Sequence, residues 1–112
     1  MKLDEYQAEA AKTDLFEFTN LKDPGFTEKI LGLCGETGEV ADKFKKILRD
    51  ENGIPSDVSK DGIKKELGDV LWYIAAISRY MNISLEDIAK ANLDKLAARQ
   101  KQGKLHGSGD NR

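Results

Sequence analysis

A chain of 112 residues, 39% apolar and 34% charged, has the size of one domain with a small core, and this composition excludes intrinsic disorder. The formal net charge is −2 with acids and bases interspersed, which excludes the basic excess of a general nucleic-acid binder. The single cysteine, Cys34, rules out an internal disulfide; with no apolar leader and no long apolar run, the expected location is the cytoplasm, with no membrane partner.

Period-two alternation is nearly absent and helical period is plain, so the expected fold class is all-α, a four-helix bundle-like subunit. The first helix is predicted over about residues 3–19, with Leu3, Tyr6, Ala10, Leu15 and Phe18 as apolar positions, ending before Asp23-Pro24-Gly25. In the second, Ile30, Leu33, Thr37, Val40, Phe44 and Ile47 recur at spacings of three and four. Asn52-Gly53 and Pro55 supply helix-ending and loop chemistry. The third helix then repeats the pattern with Ile63, Leu67, Val70, Ile74, Ile77 and Met81, so the two segments should form an antiparallel hairpin. The last helix starts at Ser84, which forms a capping-box-like pair with Asp87 while Ile83 can staple to Ile88. It runs to about Gln102, where Gly103 can end it. Residues 1–102 therefore read as the domain, and the glycine-rich residues 103–112 as a tail without helical period.

The hairpin carries an internal repeat. Glu36-Thr-Gly-Glu-Val40 is answered by Glu66-Leu-Gly-Asp-Val70. Residues three apart share a helix face, so Glu36 with Glu39, and Glu66 with Asp69, form two carboxylate pairs beside the apolar seam. In an antiparallel register the two pairs can converge. Two carboxylates ~5 Å apart repel by roughly 3 kcal/mol at an effective dielectric of ~20, so such a group holds protons or binds cations. All-oxygen donors suit Mg²⁺, or Mn²⁺, rather than zinc or copper, and Mg²⁺ shares its coordination with substrate phosphates. That combination points to hydrolysis of a nucleotide or another pyrophosphate compound. A di-iron bundle would need Glu-x-x-His repeats, and the single histidine, His106, lies in the tail. Gly35, Gly38 and Gly68 either allow tight helix packing or let a backbone, a water or a phosphate come close. Asp14 and Glu17 have the same acid spacing by chance and read as a solvated pair. Cys34 reads as apolar packing, since no histidine base is near it in sequence.

These residues resemble a known family. Leu31-Gly-Leu-Cys-Gly-Glu-Thr-Gly-Glu-Val-Ala-Asp-Lys-Phe-Lys-Lys46 and Lys65-Glu-Leu-Gly-Asp-Val-Leu-Trp-Tyr73 are similar to the MazG-like nucleoside triphosphate pyrophosphohydrolases of the all-α pyrophosphatase superfamily, whose signature is Glu-x-x-Glu followed by Glu-x-x-Asp. The likeness extends to Glu5-Tyr-Gln7, Thr13, residues 92–99 and the closing Gly-Ser-Gly-Asp-Asn-Arg112. It implies Mg²⁺-dependent hydrolysis of an NTP or dNTP to the monophosphate and pyrophosphate, a nucleotide-pool housecleaning activity. Glu36, Glu39, Glu66 and Asp69 would be the metal ligands and catalytic acids, and water would attack the α-phosphorus. It also implies a homodimer or dimer of dimers with a cleft partly built by the neighbour. Substrate-binding candidates are Lys46, Tyr73, Asn92, Lys95, Arg99 and Arg112. For the lysines and Arg99 the alternative is plain solvation of a helix, for Asn92 a polar surface position, for Tyr73 a core position. Trp72 reads as an interface or core residue rather than a stacking platform. The competing function is a non-catalytic helical interaction module of the same fold.

Overall fold

The computed structural model describes residues 1–103. Four helices follow in order: α1 (Leu3–Ala11), α2 (Pro24–Asp50), α3 (Asp57–Tyr80) and α4 (Leu85–Lys101). No strand occurs among the described residues, and the all-α expectation is met. Each long helix begins at a residue that can accept from the free amides of a first turn. Asp23 accepts from the Gly25 amide at 2.9 Å ahead of Pro24, Ser56 from Ser59 at 3.1 Å, and Ser84 from Asp87 at 3.1 Å, the last as the sequence predicts. The α2–α3 turn passes through left-handed Asn52 (φ 55°) and Gly53 (φ 77°), and Glu51 fastens it by accepting from the Ser59 hydroxyl at 2.7 Å.

The first helix is shorter than its sequence predicts, ending at Ala11 rather than near residue 19. Asp14 turns inward instead of continuing the helix, and its carboxylate accepts the Phe16 amide at 3.0 Å. Residues 12–23 then cross the end of the hairpin as an irregular strap. Phe18 stacks on Tyr80 with ring centroids 5.1 Å apart, and Phe16 meets the same ring edge-on at 5.6 Å. Gly25 makes this seat possible, since a Cβ there would lie 2.1 Å from the Phe16 ring.

The helices do not close into a tight bundle. α2 meets only α3, while α1 lies on α3 and α4 touches α1 and α3. The buried apolar residues are Ile47, Ala75, Ala76, Tyr80 and Leu85. With a neighbour on one side only, α2 leaves the margins of its apolar stripe in solvent. The expected seam residues Thr37, Phe44 and, across the hairpin, Leu67 are therefore exposed. Cys34 is exposed as well, which overturns its reading as apolar packing: among the described residues α3 is the one helix that meets α2, and it does not cover Cys34. No helix among the described residues is long and apolar enough to cross a membrane.

Candidate metal centre

Three of the four repeat acids come together. One carboxylate oxygen each of Glu36, Glu66 and Asp69 lies within 4.8 Å of the others. Glu36 comes from α2 and the other two from α3, so the antiparallel hairpin, not either helix alone, makes the cluster. Glu36 and Glu66 are half-buried and Asp69 is exposed. Glu39, one turn further along α2, is exposed and stands outside the trio.

The electrostatics report uncompensated negative charge. Desolvation, then the charges of Asp69 and Glu66, raise the Glu36 carboxyl above the ordinary range. Tyr6 of α1 is also raised, first by burial and then by Asp69. The ammonium of Lys43 makes a long ion pair with Glu66 at 3.9 Å, one positive charge against three acids. A set of hard oxygen donors at this spacing, carrying more negative charge than its neighbours offset, fits Mg²⁺ or a similar divalent cation.

Beside the acids lies a cavity of about 300 Å³ lined by Thr13, Glu36, Asp69, Trp72 and Tyr73. Tyr73 thus faces the acids, as its position one turn beyond Asp69 suggests. Gly32 is what admits it, because a Cβ there would come within 2.3 Å of the tyrosine ring. Trp72 faces the acids too, against the expectation from the seam. Its indole N–H donates to the Thr13 hydroxyl at 2.8 Å, and its ring stands nearly perpendicular to Tyr73, 5.0 Å away. Around Gly35, Gly38 and Gly68 an added Cβ would meet nothing within 4 Å, so no packing among the described residues requires those glycines.

The phosphate-binding candidates separate. Lys46 lines a second cavity, of about 270 Å³, with Lys43, Ile47, Asp50, Ser59 and Gly62, two turns along the hairpin from Glu39. It pairs with Asp42 at 2.9 Å, and Lys45 and Lys46 together pull the Asp42 carboxyl down to about 2. Asn92, Lys95 and Arg99 lie on α4, which does not meet α2, and none of them lines the cavity beside the acids. Arg99 is buried, at 6% exposure, and Lys95 half-buried, so neither simply solvates a helix; Asn92 is exposed. Arg112 and His106 lie outside the described residues.

The profile of the MazG nucleotide pyrophosphohydrolase domain matches residues 26–104, which include all four acids. The chain belongs to the MazG family. The Gene 37 protein of Mycobacterium phage L5 is 40% identical to it over 114 residues, covering 100% of both chains. No solved structure gives a significant match. The MazG match begins at Phe26, yet the cavity beside its acids is walled in part by Thr13, from the segment before it. Thr13 enters the sequence reading only as part of a family likeness. What brings it to the site is the early end of α1, which helical periodicity does not reveal.

Proposed function

We propose that the chain hydrolyses nucleoside triphosphates, NTP or dNTP, to the monophosphate and pyrophosphate in a Mg²⁺-dependent reaction that cleans the cytoplasmic nucleotide pool. The observation that carries this reading is the meeting of Glu36, Glu66 and Asp69 from two helices beside an open cavity within a MazG domain. These three would hold the cation, with Glu39 able to join from the next turn. When bound, the divalent ion supplies neutralisation of phosphate charge and lowers the pKa of water. Glu36 and Glu66, the half-buried members, would hold the cation from the two helices, and Asp69, the exposed member, is the one best placed to orient water. Lys43 and Lys46, further along the hairpin, are the cations nearest the line a triphosphate tail would follow from the acids.

A homodimer or dimer of dimers is part of the same reading. Leu31, Leu48 and Leu93 are 66%, 70% and 66% exposed, and α2 is covered on one side only. Apolar surface of that kind is normally buried between subunits. A second subunit over α2 would also account for the open space at Gly35 and Gly38. Residues 1–102 would be the working domain, and Asn92, Lys95, Arg99 and the tail with Arg112 would act on substrate only if the assembly brings them to a cleft.

The deciding assay is pyrophosphate release from a nucleotide panel with and without Mg²⁺, comparing wild type with Asp69→Asn and Glu39→Gln. Turnover that needs Mg²⁺ and collapses in Asp69→Asn is the expected result. Absence of turnover on every nucleotide would leave the non-catalytic interaction module standing in its place.

A further inference from the structure

A single buried carboxylate gathers a second polar cluster behind the wall of the cavity. The Asp14 side chain is 1% exposed and pairs with Arg79 at 2.7 Å and Lys29 at 3.2 Å. The Tyr80 hydroxyl donates to the same carboxylate in a short hydrogen bond, and the Phe16 amide to its other oxygen. Four donors from α2, α3 and the strap thus converge on one side chain. Lys29 continues the connection outward: its ammonium lies 5.2 Å from the Trp72 ring centre and 5.7 Å from that of Phe16. Trp72 in turn donates to Thr13, the residue next to Asp14. Asp14, Lys29, Trp72 and Thr13 therefore close a loop of contacts whose outer side is the cavity of the acidic centre.

Resting on the pyrophosphohydrolase reading, we propose that Asp14 is a positioning residue: it pins the strap to the hairpin so that Thr13 and Trp72 form a fixed wall against which the nucleoside end of the substrate lies. Three observations join here. The wall offers the cavity an indole, a phenol and a hydroxyl, and the cation beside the indole, Lys29, is paired with Asp14 and does not line the cavity; this is the chemistry of a sugar and base and not of phosphate. The lysines that could take phosphate lie the other way along the hairpin, at Lys43 and Lys46. The strap carries almost no helical hydrogen bonding of its own between residues 14 and 20, so its path depends on what Asp14 and the phenylalanines hold. Asp14 touches neither the acids nor the cavity's cation site. Its effect is accordingly on substrate affinity, with the chemistry left to Glu36, Glu66 and Asp69.

Trp72 is the only tryptophan, so its fluorescence reports this wall alone. The test measures steady-state kinetics and Trp72 emission for wild type, Asp14→Asn and Thr13→Val with the best nucleotide of the panel and Mg²⁺. Asp14→Asn keeps the shape but cannot offset Lys29 and Arg79; Thr13→Val removes the acceptor of the indole bond together with the hydroxyl's own bond to the Ala10 carbonyl at the end of α1. The expected result is a KM raised about tenfold in Asp14→Asn and a few-fold in Thr13→Val, kcat within about twofold, and emission shifted to the red in both, the pattern of lost ground-state binding. Unchanged KM and emission in folded Asp14→Asn would overturn the proposal; if that variant does not fold, the same result in Thr13→Val does so. A fall in kcat at constant KM also overturns it. Failure of wild type to hydrolyse any nucleotide is a different outcome: it removes the enzyme reading and this proposal with it, whereas turnover in wild type with indifferent variants removes only the wall.

Discussion

The acidic centre and the Asp14 cluster are both built on α3, and both gather charged side chains from more than one element, yet they are opposites. Glu36, Glu66 and Asp69 crowd together with one lysine in a long ion pair, and Glu36 is raised by desolvation and by its neighbours' charge. Asp14 is more deeply buried but fully served: burial alone would raise it, while the Tyr80 hydroxyl, the Phe16 amide and Lys29 outweigh that and lower it. Where the fold supplies the counter-charge, a buried acid becomes a fastening. Where the fold supplies too little of it, the acids stay crowded and mutually repelling, a state that a bound cation would relieve. The same residue type reads as lock or as ligand set according to what faces it.

The largest effect that tests this contrast is on turnover. Asp69→Asn, or Glu66→Gln, should cut pyrophosphate release by roughly 10²–10³ fold, the range for losing a group that stabilises transition-state charge. The melting temperature of the same variants without divalent metal should stay level or rise, because a repulsion is removed. Mg²⁺ should raise the melting temperature of wild type and leave Asp69→Asn unmoved. A variant that loses Mg²⁺-induced stabilisation together with activity supports a ligand set; loss of stability without metal would make the acids structural instead.

Next in size is the fastening. Asp14→Asn should destabilise the fold by about 3 kcal/mol in urea titration, the lower end for breaking a buried ion pair, because Arg79 retains 32% exposure. A change indistinguishable from zero would place Asp14 with ordinary surface acids and dissolve the comparison.

The pH dependence sharpens it further. The folded-state value of Asp14 lies below its ordinary value of 3.8. Its contribution is therefore present above 3.8 and is lost as pH falls through the lowered folded value. The stability gap between wild type and Asp14→Asn should hold constant from pH 7 to about 5 and narrow below 3.8. A gap that instead closes on going from pH 5 to pH 7 would contradict the assignment.

The smallest effect is expected at Thr13. It is exposed, and losing its two hydrogen bonds, from the indole and to the Ala10 carbonyl, should cost about 1–2 kcal/mol. A Thr13→Val variant that is stable but binds nucleotide more weakly separates the wall from the fold. One that loses several kcal/mol would move Thr13 to the structural side.

Much of this molecule is legible in its one-dimensional pattern because helices are local objects. Ser84 capping Asp87, left-handed Gly53 and Gly103, and the three-four spacing of the hairpin follow from hydrogen bonding and periodicity over a few residues. The pairing of Glu-x-Gly-Glu with Glu-x-Gly-Asp was legible for the same reason: two helix faces repeat, and a short loop makes them antiparallel. The strap was not. Asp14 and Glu17 have the spacing of a solvated pair, but one is buried among cations and the other stays exposed. Nothing within a turn of Asp14 announces Lys29, Arg79 or Tyr80, which arrive from fifteen and more than sixty residues away. Trp72 misled in the same way, since its role comes from Thr13 across the molecule and not from its place in the α3 repeat.

By itself, then, the sequence determined the helices, the hairpin and the acid types that face each other across it, because each depends on short-range periodicity and on charge that has no local partner. Tertiary structure decided which three acids meet, that Glu39 stands a turn away, and that an irregular strap walls the site. Those outcomes depend on register and on long-range counter-charges, and neither is written in any single stretch of the chain.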